Sequence, residues 1–332
     1  MSTIAVLGAG SYGTALAIQL ARLGNDTRLW GRDAAQMQRL EAERVNAEYL
    51  PGCKLPPALK PTSDLRAAVA DAEDLLLAVP SHALHAVLRV VAPLLRPEQG
   101  IACAVKGIEP DTGKLMHEVI GDIVGTQRKF AMISGPTFAK EVGRGMPTAV
   151  TVASTDPEYA EKIVHALHGQ GFRAYTSDDV IGVEVGGSVK NVLAIAVGIA
   201  DGLGLGANTR AGVITRGLAE IMRLGEAMGG RRETFMGLAG LGDLVLTCTD
   251  DQSRNRRMGL ALARGKSVQE ALAEIKQVVE GVRVAPEVLR LARKHHVEMP
   301  ISEQVAGVLA GKITAIDAVR SLATRPPRAE AG

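Results

Sequence analysis

The sequence predicts an α/β protein: a Rossmann-like doubly wound parallel sheet over residues 1–179, followed by a mostly α-helical second domain over residues 180–325. Three observations predict it. Up to about residue 177 short apolar runs alternate with amphipathic segments, the pattern of parallel strands wound with helices. The first run ends in a glycine-rich turn that opens a helical pattern, "IAVLGAGSYGTALAIQLARLG", with Leu16, Leu20 and Leu23 on one face and Gly24 as a stop. Beyond about residue 178 the strand signals fade, and long helical patterns such as "NTRAGVITRGLAEIMRLGEAM" and "SVQEALAEIKQVVEGV" take over.

The predicted strands, in order, are 4–7, 27–30, 75–79, 101–105, 130–133 and 149–153. Several are apolar on both faces, as strands buried between two helical layers are. Residues 191–208 form the longest weakly charged stretch, but Asp201 and several glycines interrupt it. It reads as a core helix and loop rather than a membrane span. The N-terminus lacks a basic segment ahead of its short apolar run, so no signal peptide is expected. The tail, 326–332, reads as disordered. No internal repeat is visible.

The chain of 332 residues carries 38 basic and 36 acidic side chains, a net charge of +2. That balance gives no general field for nucleic acid or a membrane surface, so any anion site must be local. Aromatics make up 3% of the chain, too few for base-stacking platforms. Cys53, Cys103 and Cys248 are odd in number and lack C-x-x-C spacing, which points to free thiols in a reducing, cytoplasmic compartment. His82 and His85 stand three apart with no third ligand in view, so no metal is expected.

In the first domain the chemistry concentrates at the ends of strands. Gly8, Gly10 and Gly13 give G-x-G-x-x-G between strand and helix, where glycines let the backbone approach a pyrophosphate at the helix N-terminus. At the end of the second strand stand Gly31 and Arg32, with Asp33 one step later; Arg32 suits a 2'-phosphate, so NADPH as well as NADH is expected, unless it faces solvent. Three later strands end in loops at Pro80–Ser81, Lys106 and Ser134–Thr137, on the edge where open parallel sheets bind ligands. Lys106 is then a contact to cofactor or anionic substrate, or an exposed loop lysine. Thr137 is either a ligand contact or the cap of the next helix.

The second domain adds two charges in apolar surroundings. Lys190 sits in "GGSVKNVLAIAVGIADG" with no acid at helix-pair spacing, and Asp243 sits among glycines and aliphatics in "GLAGLGDLVLTCT". A contact between them is the economical expectation; the alternative makes Asp243 a turn residue. In "QSRNRRMG", Ser253 opens a helix with Arg254 and Asn255 in its first turn, a cradle suited to a phosphate. Arg254, Arg256 and Arg257 cannot all face one way, so at least one is expected in solvent. Together these parts describe a reductase of a phosphorylated carbonyl compound, with Lys190 as the general acid that protonates the nascent alkoxide.

The motifs "VLGAGSYGTALA", "AVPSH", "KGIE", "SGPTFAKEV", "GGSVKNVLAI", "GLAGLGDLVLTCT", "QSRNRR" and "VVEGV" run through nearly the whole chain in order. In them the sequence resembles the bacterial NAD(P)-dependent glycerol-3-phosphate dehydrogenases. The resemblance implies reduction of dihydroxyacetone phosphate to sn-glycerol 3-phosphate for phospholipid synthesis, by a cytoplasmic homodimer. It further implies cofactor contacts from Ser11, Tyr12, Arg32, Lys106, Ala139, Arg254, Val278 and Glu280, beside the glycine turn. Substrate contacts are implied for Lys106, Gly135, Thr137, Lys190, Asp243, Ser253, Arg254 and Asn255, and proton transfer for Lys190. Two rival classes share parts of this pattern. A keto-acid reductase such as a ketopantoate or 3-hydroxyacid enzyme would need a carboxylate clamp where "SRNRR" stands, and a nucleotide sensor would bind NADPH without turnover.

Overall fold

The computed structural model describes residues 2–327 and 329. Its centre is an eight-stranded sheet: β1 (Thr3–Leu7), β2 (Asp26–Trp30), β3 (Leu59–Thr62), β4 (Asp74–Leu77), β5 (Gly100–Cys103), β6 (Phe130–Ser134), β7 (Thr148–Ala153) and β8 (Phe172–Ser177). The spatial order is β3-β2-β1-β4-β5-β6-β7-β8. The winding reverses between β1 and β4, which opens a crevice beyond their carboxyl ends. Two apolar clusters cover the sheet, one on each face, built from Leu16, Leu20 and Leu29 on one side and Leu75, Leu84 and Leu88 on the other.

Two features depart from the sequence reading. The expected parallel sheet is parallel except at one step: β7 runs antiparallel to β6, pairing Met132 with Ala153 and Ser134 with Thr151. The helix Ala139–Arg144 between them is too short to carry the chain back across the sheet, so the strand returns directly. The reading also omits β3 and β8. These are the two edges: "LKPT" contains Pro61 and "FRAYTS" alternates buried and exposed residues, so neither shows the continuous apolar run of a central strand.

After β8 the chain is helical. The helix Val180–Gly202 forms the axis of this half, with nearly all of its residues buried. It is long and apolar enough to cross a membrane, yet 94% of its most apolar window is covered by the protein's own core. The helices Gly206–Ala227, Asp243–Thr249, Arg254–Ala263 and Glu280–Lys294 pack around it. Glycines set the closest approach. A Cβ on Gly259 would lie 2.2 Å from the Ile195 carbonyl oxygen, and one on Gly198 would lie 2.2 Å from that of Arg256. Backbone therefore rests on backbone where these helices cross. Of the tail from 326, Pro326, Pro327 and Ala329 are exposed and without regular structure, and the rest lies outside the described residues.

This crossing yields a paired prediction. Gly259→Ala forces two backbones apart and is expected to cost about 1–3 kcal/mol, the usual overpacking range. Gly212→Ala, in an exposed helix where a Cβ meets nothing within 4 Å, is expected to stabilise by about 0.5–1 kcal/mol. Thermal unfolding of the two variants should show midpoint shifts of opposite sign.

Candidate active site at the carboxyl edge of the sheet

The three glycines of the first turn are needed for different reasons. Gly8 has a φ of +123°, and a Cβ there would lie 2.7 Å from the Ala78 carbonyl oxygen, across the switch between β1 and β4. A Cβ on Gly13 would stand 1.9 Å from the Gly8 carbonyl oxygen, so the helix Ser11–Arg22 starts against its own turn. At Gly10 the position is open, with nothing within 4 Å, and no side chain caps the helix. An uncapped helix N-terminus beneath an open glycine fits the pyrophosphate of a dinucleotide.

Around that turn, the Ser11 hydroxyl donates to the Tyr49 carbonyl at 2.6 Å, and Tyr12 turns its phenol toward Thr137. Arg32 is exposed at the end of β2. Asp33, the acid one step later, accepts from the Gln36 N–H at 3.1 Å as the cap of the helix Ala34–Glu43. Its carboxylate is thus spent on a helix end. Ala139 begins the helix that follows Thr137 and Phe138.

The first turns of the helix Val180–Gly202 close over the far end of the sheet, where a Cβ on Gly187 would meet the Ser134 hydroxyl at 2.6 Å. Here the expected contact is present: Lys190 Nζ donates to Asp243 Oδ1 at 2.5 Å and to the Thr247 hydroxyl at 2.7 Å. The other carboxylate oxygen takes a second ammonium. Lys106 Nζ donates to Asp243 Oδ2 at 2.7 Å and to the Gly135 carbonyl at 2.8 Å, with the Thr137 hydroxyl at 3.4 Å. Lys106 is therefore bonded rather than loose on its loop. Thr137 faces this cluster and does not cap the next helix, whose N-cap is Phe138.

Asp243 is 1% exposed and Lys190 5%. The two lysines respond in opposite directions. Burial dominates at Lys190, opposed by Asp243 and assisted by the like charge of Lys106, and its pKa falls to about 8. Burial also weighs on Lys106, but Asp243 and Tyr12 outweigh it and its pKa rises. One carboxylate shared by two ammoniums leaves the more deeply buried one under-compensated.

The remaining expected residues gather on the helical side. Ser253 is the cap of the helix Arg254–Ala263, accepting from the Arg256 N–H at 3.2 Å, and half-buried Arg254 occupies the first turn. Asn255 points inward, donating to Asn191 at 2.8 Å and accepting from the Gly281 N–H at 2.9 Å, and so ties three helices together. Glu280 accepts from both the N–H and the hydroxyl of Ser81, at 3.2 and 2.6 Å, with Val278 just before it. Of the neighbouring arginines, neither is the solvated one expected. Arg256 pairs with Asp201 and Asp251, with 11% of its side chain exposed, and Arg257 is half-buried. Asp201 reaches it from the end of an adjacent helix, a proximity that linear sequence hides. Thr247 was passed over as well; it stands one helical turn after Asp243, and that spacing was the available signal.

Strand order, glycine turn and lysine–carboxylate cluster define the chain as an oxidoreductase of the dinucleotide-dependent class. Comparison with known proteins narrows the class. Residues 3–160 match the N-terminus of the NAD-dependent glycerol-3-phosphate dehydrogenases, and residues 179–320 match their C-terminus. The chain is 55% identical over 327 residues to a glycerol-3-phosphate dehydrogenase [NAD(P)+] of Xanthomonas euvesicatoria, covering 98% of this chain and 96% of that one. The crystal structure of a glycerol-3-phosphate dehydrogenase from Coxiella burnetii superposes with a TM-score of 0.94 at 48% identity, over 98% of this chain and 99% of that one. A ketopantoate reductase from Ralstonia eutropha, at 16% identity and a TM-score of 0.59 over 96% and 99% of the two chains, shares the fold alone. The chain belongs to the NAD-dependent glycerol-3-phosphate dehydrogenase family.

The shared carboxylate generates a pH-dependent prediction. In Asp243→Asn both ammoniums stay buried without a counter-charge, so their folded-state pKa values fall below the unfolded value of about 10.4. Between those values the unfolded chain binds more protons, and stability of the variant rises with pH. The variant is expected to lose about 3 kcal/mol or more at pH 7. Denaturant unfolding from pH 7 to 10 should show that deficit shrinking as pH rises.

Proposed function

We propose that this enzyme reduces dihydroxyacetone phosphate to sn-glycerol 3-phosphate, reversibly, in the cleft between the sheet domain (1–179) and the helical domain (180–325). The observation that carries the reading is the Lys190–Asp243–Lys106 cluster, which joins a buried proton donor to the carboxyl edge of a dinucleotide-binding sheet. NADH or NADPH supplies the hydride when bound. Gly8, Gly10 and Gly13, with Ser11 and Tyr12, would hold its pyrophosphate, and Arg32, Ala139, Val278 and Glu280 would supply its further contacts.

Lys190 gives a proton to the carbonyl oxygen as negative charge builds on it, and a pKa near 8 suits that task at neutral pH. Asp243 fixes the direction of the ammonium, and Thr247 takes a second of its protons. Lys106, held by Asp243 and the Gly135 carbonyl, places a positive charge beside the substrate. Arg254, with Ser253 and Asn255 at the same helix start, holds the phosphate. Thr137 and Gly135 border the same space. The near balance of charge and the three buried, free cysteines support a cytoplasmic setting, and we assign the chain as a homodimer there. The product is the backbone unit of phospholipids.

The reading is tested by following NADPH and NADH oxidation with dihydroxyacetone phosphate against keto acids that lack phosphate. Turnover confined to the phosphorylated ketone supports it; preference for ketopantoate, or binding without turnover, rejects it. Lys190→Ala is expected to lower kcat on the order of 10² to 10⁴ while leaving NADPH affinity intact. In the wild type, kcat for reduction should fall as pH rises through about 8, because the ammonium loses the proton it donates, and kcat for oxidation should rise over the same interval. Arg254→Ala is expected to act chiefly on the KM of the phosphorylated substrate, which saturation kinetics measures directly.

A further inference from the structure

The cofactor-binding edge carries more positive charge than the glycine turn and Arg32 supply. Glu280 opens the helix Glu280–Lys294, and its carboxylate is bonded to both the N–H and the hydroxyl of Ser81 at the start of the helix Ser81–Val91. That pair pins the first turn of a helix from the helical half against the end of β4, on the crevice. One turn further along the same helix face stands Arg283, exposed. Next to Ser81 stands His82, and partial burial together with the charges of Arg283 and, more weakly, Arg32 lowers its pKa against the pull of Glu280. Arg32 stands at the end of β2, two strands from β4 in the sheet, and the Glu280–Ser81 bonds bring the Arg283 helix to the loop after β4 on the same carboxyl edge.

The carboxylates of Asp33 and Glu280 point at neutral donors rather than at these guanidiniums. Asp33 caps its own helix, and Glu280 is bonded to Ser81. Among the described residues neither Arg32 nor Arg283 forms an ion pair. Two guanidiniums exposed at one rim, with no carboxylate bonded to either, can close on a bound anion from both sides. In a sheet of this winding, the end of β2 is where the adenosine ribose of a dinucleotide lies. The anion of matching position and charge is the phosphate that distinguishes NADPH from NADH.

We infer that Arg283 joins Arg32 in binding the cofactor's 2'-phosphate, so that the helical half contributes to the choice of NADPH over NADH. The inference rests on the glycine turn being the dinucleotide site. It predicts that selectivity is partly written in the second half of the chain, where a search confined to the sheet would not find it.

The test uses adenosine 2',5'-bisphosphate and 5'-AMP as probes on the full-length protein, by titration calorimetry. Arg283→Ala is expected to weaken the bisphosphate about tenfold or more, the scale of one charge-assisted contact, and to change 5'-AMP affinity less than twofold. Arg283→Lys, which keeps the charge but loses the fork, should fall between. The ratio of kcat/KM for NADPH to that for NADH should fall by a similar factor in Arg283→Ala. Equal weakening of both probes, or no change in either, overturns the inference while leaving the nucleotide site standing. Failure of the wild type to bind 5'-AMP or the bisphosphate overturns the inference and the site together.

Discussion

One carboxylate ties the carboxyl edge of the sheet to the helical half of this protein. Asp243 offers its two oxygens to two ammoniums, Lys190 from its own half of the chain and Lys106 from the loop after β5. Burying three charged groups side by side is costly, and removing the carboxylate leaves both ammoniums uncompensated. The cluster is therefore a joint between the two halves of the chain. Its position fixes the distance between the sheet's carboxyl edge and the axial helix, and other contacts follow from that registration. Ser188 donates to the Gly107 carbonyl at 3.0 Å, and buried Glu184 accepts from the backbone N–H of His117 at 2.9 Å, both along the same helix.

The same arrangement explains why two lysines on one acid behave differently. Lys106 sits nearer the open side, with 15% of its side chain exposed against 7% for Lys190, and touches a backbone carbonyl and an aromatic face as well. Among the described residues, the Lys190 ammonium bonds Asp243 and a threonine hydroxyl. The deeper ammonium thus becomes the one able to part with a proton near neutral pH, and the shallower one remains a fixed charge. Geometry divides the labour between two residues of identical chemistry.

Much of this was legible in the sequence, for reasons that are physical. A lysine in a greasy helix requires an acid, and Asp243 is a carboxylate set in comparably apolar surroundings, so their pairing was the economical expectation from the cost of burying charge. The glycine turn was readable because strand, spacing and helix occur within one short segment. What escaped reading depends on contacts distant in the chain. Lys106 reaches Asp243 across 137 positions, and Arg256 is neutralised by Asp201 across 55, neither of which leaves a local pattern. The reversed strand β7 escaped for a related reason, since the direction of pairing is set by where the chain returns. Edge strands β3 and β8 escaped because they are not buried on both faces.

Those two edges have a consequence for how copies of the molecule can meet. Pro61 removes an N–H from the ladder of β3. On β8, Phe172 exchanges both its backbone hydrogen bonds with Gly169, and the Ala174 N–H is taken by His168 Nδ1 at 3.3 Å. Each border of the sheet thus offers a broken row of free backbone groups, which blunts strand-to-strand templating and the fibrous aggregation it seeds.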